Sequence, residues 1–124
     1  MAMYESFTPG CGFASLSATA PPTLANGLHV DITNAQGPAV LVTGWSNTRA
    51  GTMWLPLSLS PYVNSPCFLH VSPDVTQLLV GPPLGVSYQF PNSPGLLGLT
   101  FYQQAMVPGG FTEMTNATVA VIGP

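Results

Sequence analysis

Glycine or proline interrupts this chain so often that no amphipathic helix can be completed. With 13 Gly and 14 Pro in 124 residues, no stretch free of both carries apolar residues at i, i+3, i+4 and i+7 among helix-forming partners. What survives between the breaks is short and alternates with period two. Leu28, Val30 and Ile32 alternate with His29, Asp31 and Thr33, which sends one set to a core face and the other outward. Val40 and Val42 alternate with Leu41 and Thr43 ahead of Gly44 and Trp45, and Leu55, Leu57 and Leu59 alternate with Pro56, Ser58 and Ser60. Pro56 has no amide to donate, so that run belongs at an edge or in a covered extended segment. Further runs cover 15–19, 68–72, 75–80, 84–90, 99–107 and 114–122, separated by Ser72-Pro73-Asp74, Gly81-Pro82-Pro83, a loop over 91–98 and Pro108-Gly109-Gly110. Runs of this length and spacing predict an all-β fold, a two-sheet antiparallel β-sandwich of about nine short strands.

The length suits one domain, and 46% apolar residues suffice for a core that buries about two thirds of the unfolded surface. We divide it into an extended segment over 1–8 and a β-sandwich domain over 9–124. No apolar run approaches the ~20 residues of a membrane helix, so membrane insertion is not expected.

Charge is the unusual quantity. Asp, Glu, Lys and Arg make up 4% of the chain, where roughly 25% is usual. There is no lysine, Arg49 is the only fixed cation, and the acids are Glu5, Asp31, Asp74 and Glu113, for a net charge of -3. One cation cannot displace counterions from a phosphate backbone or dock on anionic lipid, which excludes nucleic acid as a charge-bound partner.

Cys11 in Pro9-Gly10-Cys11-Gly12 and Cys67 in Ser65-Pro66-Cys67-Phe68 sit beside turn residues, without the paired spacing of a metal or redox site. A single disulfide is the preferred reading. It would add about 4 kcal/mol in the chain-entropy model and staple the amino-terminal segment to the middle of the sheet. Two separate buried thiols are the alternative. Low charge, a remainder rich in Ser, Thr, Asn and Gln, and paired cysteines together point to a secreted, extracellular or cell-surface protein. The Asn116-Ala117-Thr118 sequon is read as chance.

Several stretches taken in order carry a family resemblance. They are Pro9-Gly10-Cys11-Gly12, Val42-Thr43-Gly44-Trp45-Ser46, Trp54-Leu55-Pro56-Leu57-Ser58-Leu59, Ser65-Pro66-Cys67-Phe68-Leu69-His70-Val71-Ser72-Pro73-Asp74, Phe90-Pro91-Asn92 and Gly95-Leu96-Leu97-Gly98-Leu99-Thr100-Phe101-Tyr102-Gln103-Gln104-Ala105, with Ile122-Gly123 at the end. This order resembles a β-domain found at the carboxyl end of secreted proteins of planctomycetes and similar environmental bacteria. The resemblance runs from about Pro9 to Gly123. It implies the fold, the disulfide and secretion, and it is silent on chemistry. The chain departs from the family in being short and in carrying Met1 to Thr8 in front.

Little catalytic chemistry can be assembled from four acids, two histidines and one arginine. His29 and Asp31 are two apart on one strand and share a face, so they could hold a metal or form a His–Asp pair with a serine. The plainer reading is the solvent face of an amphipathic strand. His70, near Asp74, reads as a structural histidine. Gly44-Trp45-Ser46-Asn47 lacks the Gly-x-Ser-x-Gly elbow. We therefore expect no enzyme, no metal and no cofactor. Trp45, Trp54 and Tyr62, with Tyr102, Asn47, Asn64 and Gln103, could form an amide-flanked platform for stacking on sugar rings; core or interface is the alternative for these rings.

Assembly is the favoured function. Soluble sheet proteins protect their edges with lysine, inward charges or proline, and this chain has no lysine. Its low net charge also leaves little repulsion between copies. We expect a noncatalytic, self-assembling extracellular structural subunit of a filament, surface layer or matrix, whose partners are copies of itself. A secreted glycan-binding or adhesion module is the alternative, with an extracellular glycan as partner. Within 1–8, Met3, Tyr4 and Phe7 mark a self-assembly segment that adds to a neighbouring copy as a donor strand, or else pairs within its own domain.

Overall fold

The computed structural model describes residues 2–35, 37–50, 53–55, 57–58, 68–81, 84–108 and 113–124. In chain order its strands are β1 (Met3–Thr8), β2 (Ser15–Ala18), β3 (Leu28–Thr33), β4 (Ala39–Gly44), β5 (Arg49–Ala50), β6 (Met53–Trp54), β7 (Leu57–Ser58), β8 (Phe68–Leu69), β9 (Val75–Leu79), β10 (Leu84–Tyr88), β11 (Thr100–Val107), β12 (Glu113–Met114) and β13 (Ala117–Val121). A single 3-10 turn over Pro94–Leu96 is the only helical element among the described residues.

The larger sheet runs β1-β13-β11-β4-β9, with β12 beside the far end of β11, and the smaller runs β10-β3-β2. Every pairing between these strands is antiparallel, and β5-β6 and β7-β8 form two separate ribbons. The protein is thus all-β with two main antiparallel sheets, an arrangement consistent with a β-sandwich. Alternation explains the shared core. Leu28, Val30 and Ile32 of β3 meet Leu16 of β2 and Leu84 of β10 from one side. Ala39 and Leu41 of β4, Phe101, Ala105 and Val107 of β11, and Ala120 of β13 close it from the other.

Two-residue ladders raise the number of strands above the nine expected. The run over 114–122 is split because Thr115 and Asn116 leave the ladder. Thr115 Oγ1 accepts the Ala105 amide proton at 2.9 Å. Asn116 reaches the other sheet, its Oδ1 accepting from the Leu16 amide at 2.8 Å and its Nδ2 donating to the Leu16 carbonyl at 3.0 Å. An amide side chain here imitates a strand residue and ties β2 to the larger sheet.

The amino-terminal segment pairs within its own chain, the second of its two expected courses. β1 pairs antiparallel with β13 of its own chain, Met3 opposite Val121 and Tyr4 opposite Ala120. The Tyr4 hydroxyl donates to Gln103 Oε1 at 2.9 Å, and Phe7 packs edge-on against Tyr102 with ring centroids 5.9 Å apart. Met3, Tyr4 and Phe7 are therefore engaged within the chain, and residue 8 marks no boundary in the sheet. The physical reason is local: β13 offers an edge whose register places the Tyr4 ring over the core. Tyr62 and Cys67 lie outside the described residues, and with Cys67 the expected Cys11–Cys67 bridge. Cys11 is not free; its Sγ also accepts from the Met114 amide at 3.2 Å.

Replacing Asn116 by Ala strands a backbone donor and an acceptor at Leu16, so Asn116→Ala is expected to cost about 2 kcal/mol, read as a lower urea midpoint at unchanged m-value. A midpoint equal to wild type would show that the amide link between the sheets carries no stability.

Candidate functional site

A small apolar concavity lies where β4 ends. Gly44 closes that strand because a Cβ there would sit 1.8 Å from the Ser72 carbonyl oxygen, so only glycine lets the two segments touch. Ser72 and Asp74 then hold the following residues: the Ser46 amide donates to Ser72 Oγ at 3.1 Å, the Ser72 hydroxyl to Asp74 Oδ2 at 2.7 Å, and the Trp45 amide to the same carboxylate oxygen at 3.0 Å. These bonds, the hydroxyl's first, hold the Asp74 carboxyl below the usual carboxylate range. They also fix where Trp45 stands.

Trp45 is 60% exposed and lies at the rim of a cavity of about 170 Å³ lined by Tyr88, Phe90, Leu99, Phe101 and Ile122, with Thr43 and Gln103 as its polar members. That volume is close to the ~150 Å³ of a dry cavity that accepts one benzene ring. Beneath it, Gln103 Nε2 donates to Thr43 Oγ1 at 3.2 Å while its Oε1 accepts from Tyr4. Burial pushes the Tyr4 and Tyr88 phenols above their ordinary range. The walls are thus neutral and aromatic, suited to a small ring, and a sugar's C–H face can stack on the exposed indole.

Of the other expected platform residues, Gln103 lines it from within the core, while Trp54 and Tyr102 do not join it. Trp54 is 69% exposed on β6, opposite Arg49 of β5, whose guanidinium carbon stands 4.9 Å from the indole centroid. Arg49 therefore stacks on a ring, as a cation–π pair. Both tryptophans lie at the surface rather than in the core. Gln103 is fully buried and serves as a core amide, and Tyr102 packs against Phe7.

A second constellation involves the His29–Asp31 pair. His29 Nε2 lies 2.9 Å from Asp31 Oδ1, and His29 Nδ1 lies 2.6 Å from Ser87 Oγ. The carboxylate only accepts, so Nε2 carries a proton, and in the neutral ring Nδ1 accepts from the Ser87 hydroxyl. Ser87 faces His29 across the β10–β3 ladder, and Gly85 faces Asp31, where a Cβ would come 2.8 Å from the carboxylate oxygen. The parts of a serine–histidine–acid relay are joined. None of its side chains lines the cavities described here. The sequence supplied the His–Asp half; the serine, 58 residues away, could be found only through the strand register.

A second concavity, about 360 Å³, lies between Phe7, Phe68, His70, Cys11, Gln104 and Met114. His70 stands edge-on to Phe7 at 6.3 Å, and its ring is 6.2 Å from that of Phe68. Burial holds its imidazolium below the ordinary histidine range.

The chain matches no protein-family model, no curated protein and no solved structure.

Two pH effects follow. The Asp74 contacts are complete above the ordinary carboxylate pKa of about 3.9 and are lost as pH falls through the lower folded value. In a Trp54→Phe background, Trp45 emission should hold at mild acidity and change only in stronger acid. Adding Asp74→Ala should remove that transition; its persistence would mean that Asp74 does not position the indole. For His70 the unfolded chain takes up the proton first, so stability is full above about pH 6.5 and falls as pH drops toward the lowered folded value. His70→Phe is expected to flatten the urea-midpoint profile between about pH 7 and 5, and an unchanged slope would assign the loss elsewhere.

Proposed function

We propose that this protein is a noncatalytic extracellular structural subunit, a β-sandwich closed by a Cys11–Cys67 disulfide, that assembles with copies of itself into a filament, surface layer or matrix. The observation that carries this reading is the state of β9. It is an outer strand of the larger sheet, it contains no charge, and Val75, Leu78 and the adjoining Val80 are 57%, 64% and 71% exposed. Phe13 and Trp54 are exposed as well. Apolar side chains beside an open edge attract another chain, and with so little charge nothing keeps copies apart. The resemblance to secreted bacterial β-domains supports the extracellular setting.

One observation favours a second reading, a secreted glycan-binding or adhesion module: the exposed Trp45 stands at the mouth of a ring-sized aromatic cavity. Sedimentation velocity of the native oxidised protein, with negative-stain imaging of the same sample, separates the two. Regular polymers or sheets are expected. A monomer at every concentration would overturn the assembly reading, and a glycan array on Trp45→Ala beside wild type would then decide the second. Intact mass should fall short of the reduced chain by two hydrogens; equal masses would remove the disulfide from the proposal.

A further inference from the structure

We infer, resting on the assembly reading, that the partner at β9 is the β9 strand of a second copy, joined antiparallel across a two-fold axis so that the larger sheets of both chains become continuous.

Three observations lead there. The first is the contrast between the two edges of the larger sheet. β1 carries the exposed acid Glu5, its register slips between Ser6 and Thr8, and Pro9 follows it; charge, bulge and proline are devices that discourage strand addition. β9, Val75-Thr76-Gln77-Leu78-Leu79, carries neither charge nor bulge within it, and its flanking Pro73 and Asp74 precede it as Pro9 follows β1.

The second is direction. Four successive antiparallel pairings separate β1 from β9, so the two edges run the same way. Stacking copies head to tail would set β9 beside β1 in parallel, the less stable pairing. A two-fold axis at β9 gives the antiparallel pairing used throughout the rest of the sheet.

The third is self-complementarity. Centring the axis on Gln77 places Val75 opposite Leu79 of the other copy, Thr76 opposite Leu78, and Gln77 opposite itself, where two side-chain amides can exchange hydrogen bonds. Leu79 is buried toward the core, so alternation puts Leu78 and Val80 on the outer face beside Val40, which is opposite Leu78 on β4; in this register Leu78 meets Thr76 and Val80 meets Asp74 of the other copy. Charge does not oppose it. The two Asp74 carboxylates stand six residues apart along the joined strands, roughly 20 Å, well beyond the ~8 Å Debye length in physiological salt. A two-fold contact closes on itself, so the dimer becomes the repeating unit of any larger structure.

The test uses the residue that meets itself. Gln77→Lys and Gln77→Glu are made separately in the full chain, with circular dichroism and urea midpoint as folding controls, since Gln77 is exposed and its one side-chain bond is to the Tyr88 hydroxyl. Each variant alone is expected to self-associate at least about fivefold more weakly than wild type, because like charges face each other directly, and an equimolar mixture should recover association. If wild type assembles and either variant assembles equally well, or the mixture fails to recover, the two-fold β9 contact is wrong while the assembly reading stands. If wild type itself is monomeric at every concentration, both fall.

Discussion

Neutral amide side chains hold this fold together where ionic groups usually help. β11 lies at the middle of the larger sheet, and its two adjacent glutamines project to opposite faces. Gln103 joins Tyr4 of β1 and Thr43 of β4 on the core side. Gln104 accepts from the His70 amide and donates to the Phe68 and Thr115 carbonyls, fastening the 68–70 segment onto the outer face. Both are fully buried, and an unpaired amide in either place would be costly. Among the described residues no buried side-chain polar atom lacks a partner. The positions of Trp45, His70 and the amino-terminal strand all depend on segments that these two side chains and Asn116 tie in place.

Strand periodicity was legible, and for a physical reason: a half-buried strand must alternate, so Leu28 to Thr33 and Leu84 to Tyr88 announce their faces. Pairing was not legible, because any alternating run can pair with any other and the register depends on distant turns. That is why His29 and Asp31 could be put on one face while Ser87 could not be named. Gln103 misled for a related reason. A glutamine beside aromatics reads as surface, and only the tyrosine and threonine brought in by β1 and β4 make its burial tolerable. The two tryptophans could be read as surface platform or as core, since large aromatics in a chain of this size are usually needed inside. Here the core is filled by aliphatic side chains and Phe101, which leaves Trp45 and Trp54 outside.

The same scarcity explains how the charges are used. Asp31 orders His29, Asp74 holds the Trp45 corner, and Glu113, buried, accepts the Phe13 amide at 2.6 Å. Arg49 lies against Trp54. Each serves a nearby group, whereas in an ordinary soluble domain most charges are spread over the surface to keep molecules apart. Glu5, on the β1 edge, has no partner among the described residues and remains free to repel. A chain with one unattached acid can guard one sheet edge by charge and must leave another to neutral side chains. In this protein the guarded edge is β1, and the apolar surface lies along β9. That asymmetry separates a sheet whose two edges both invite strand addition from one in which a single edge does.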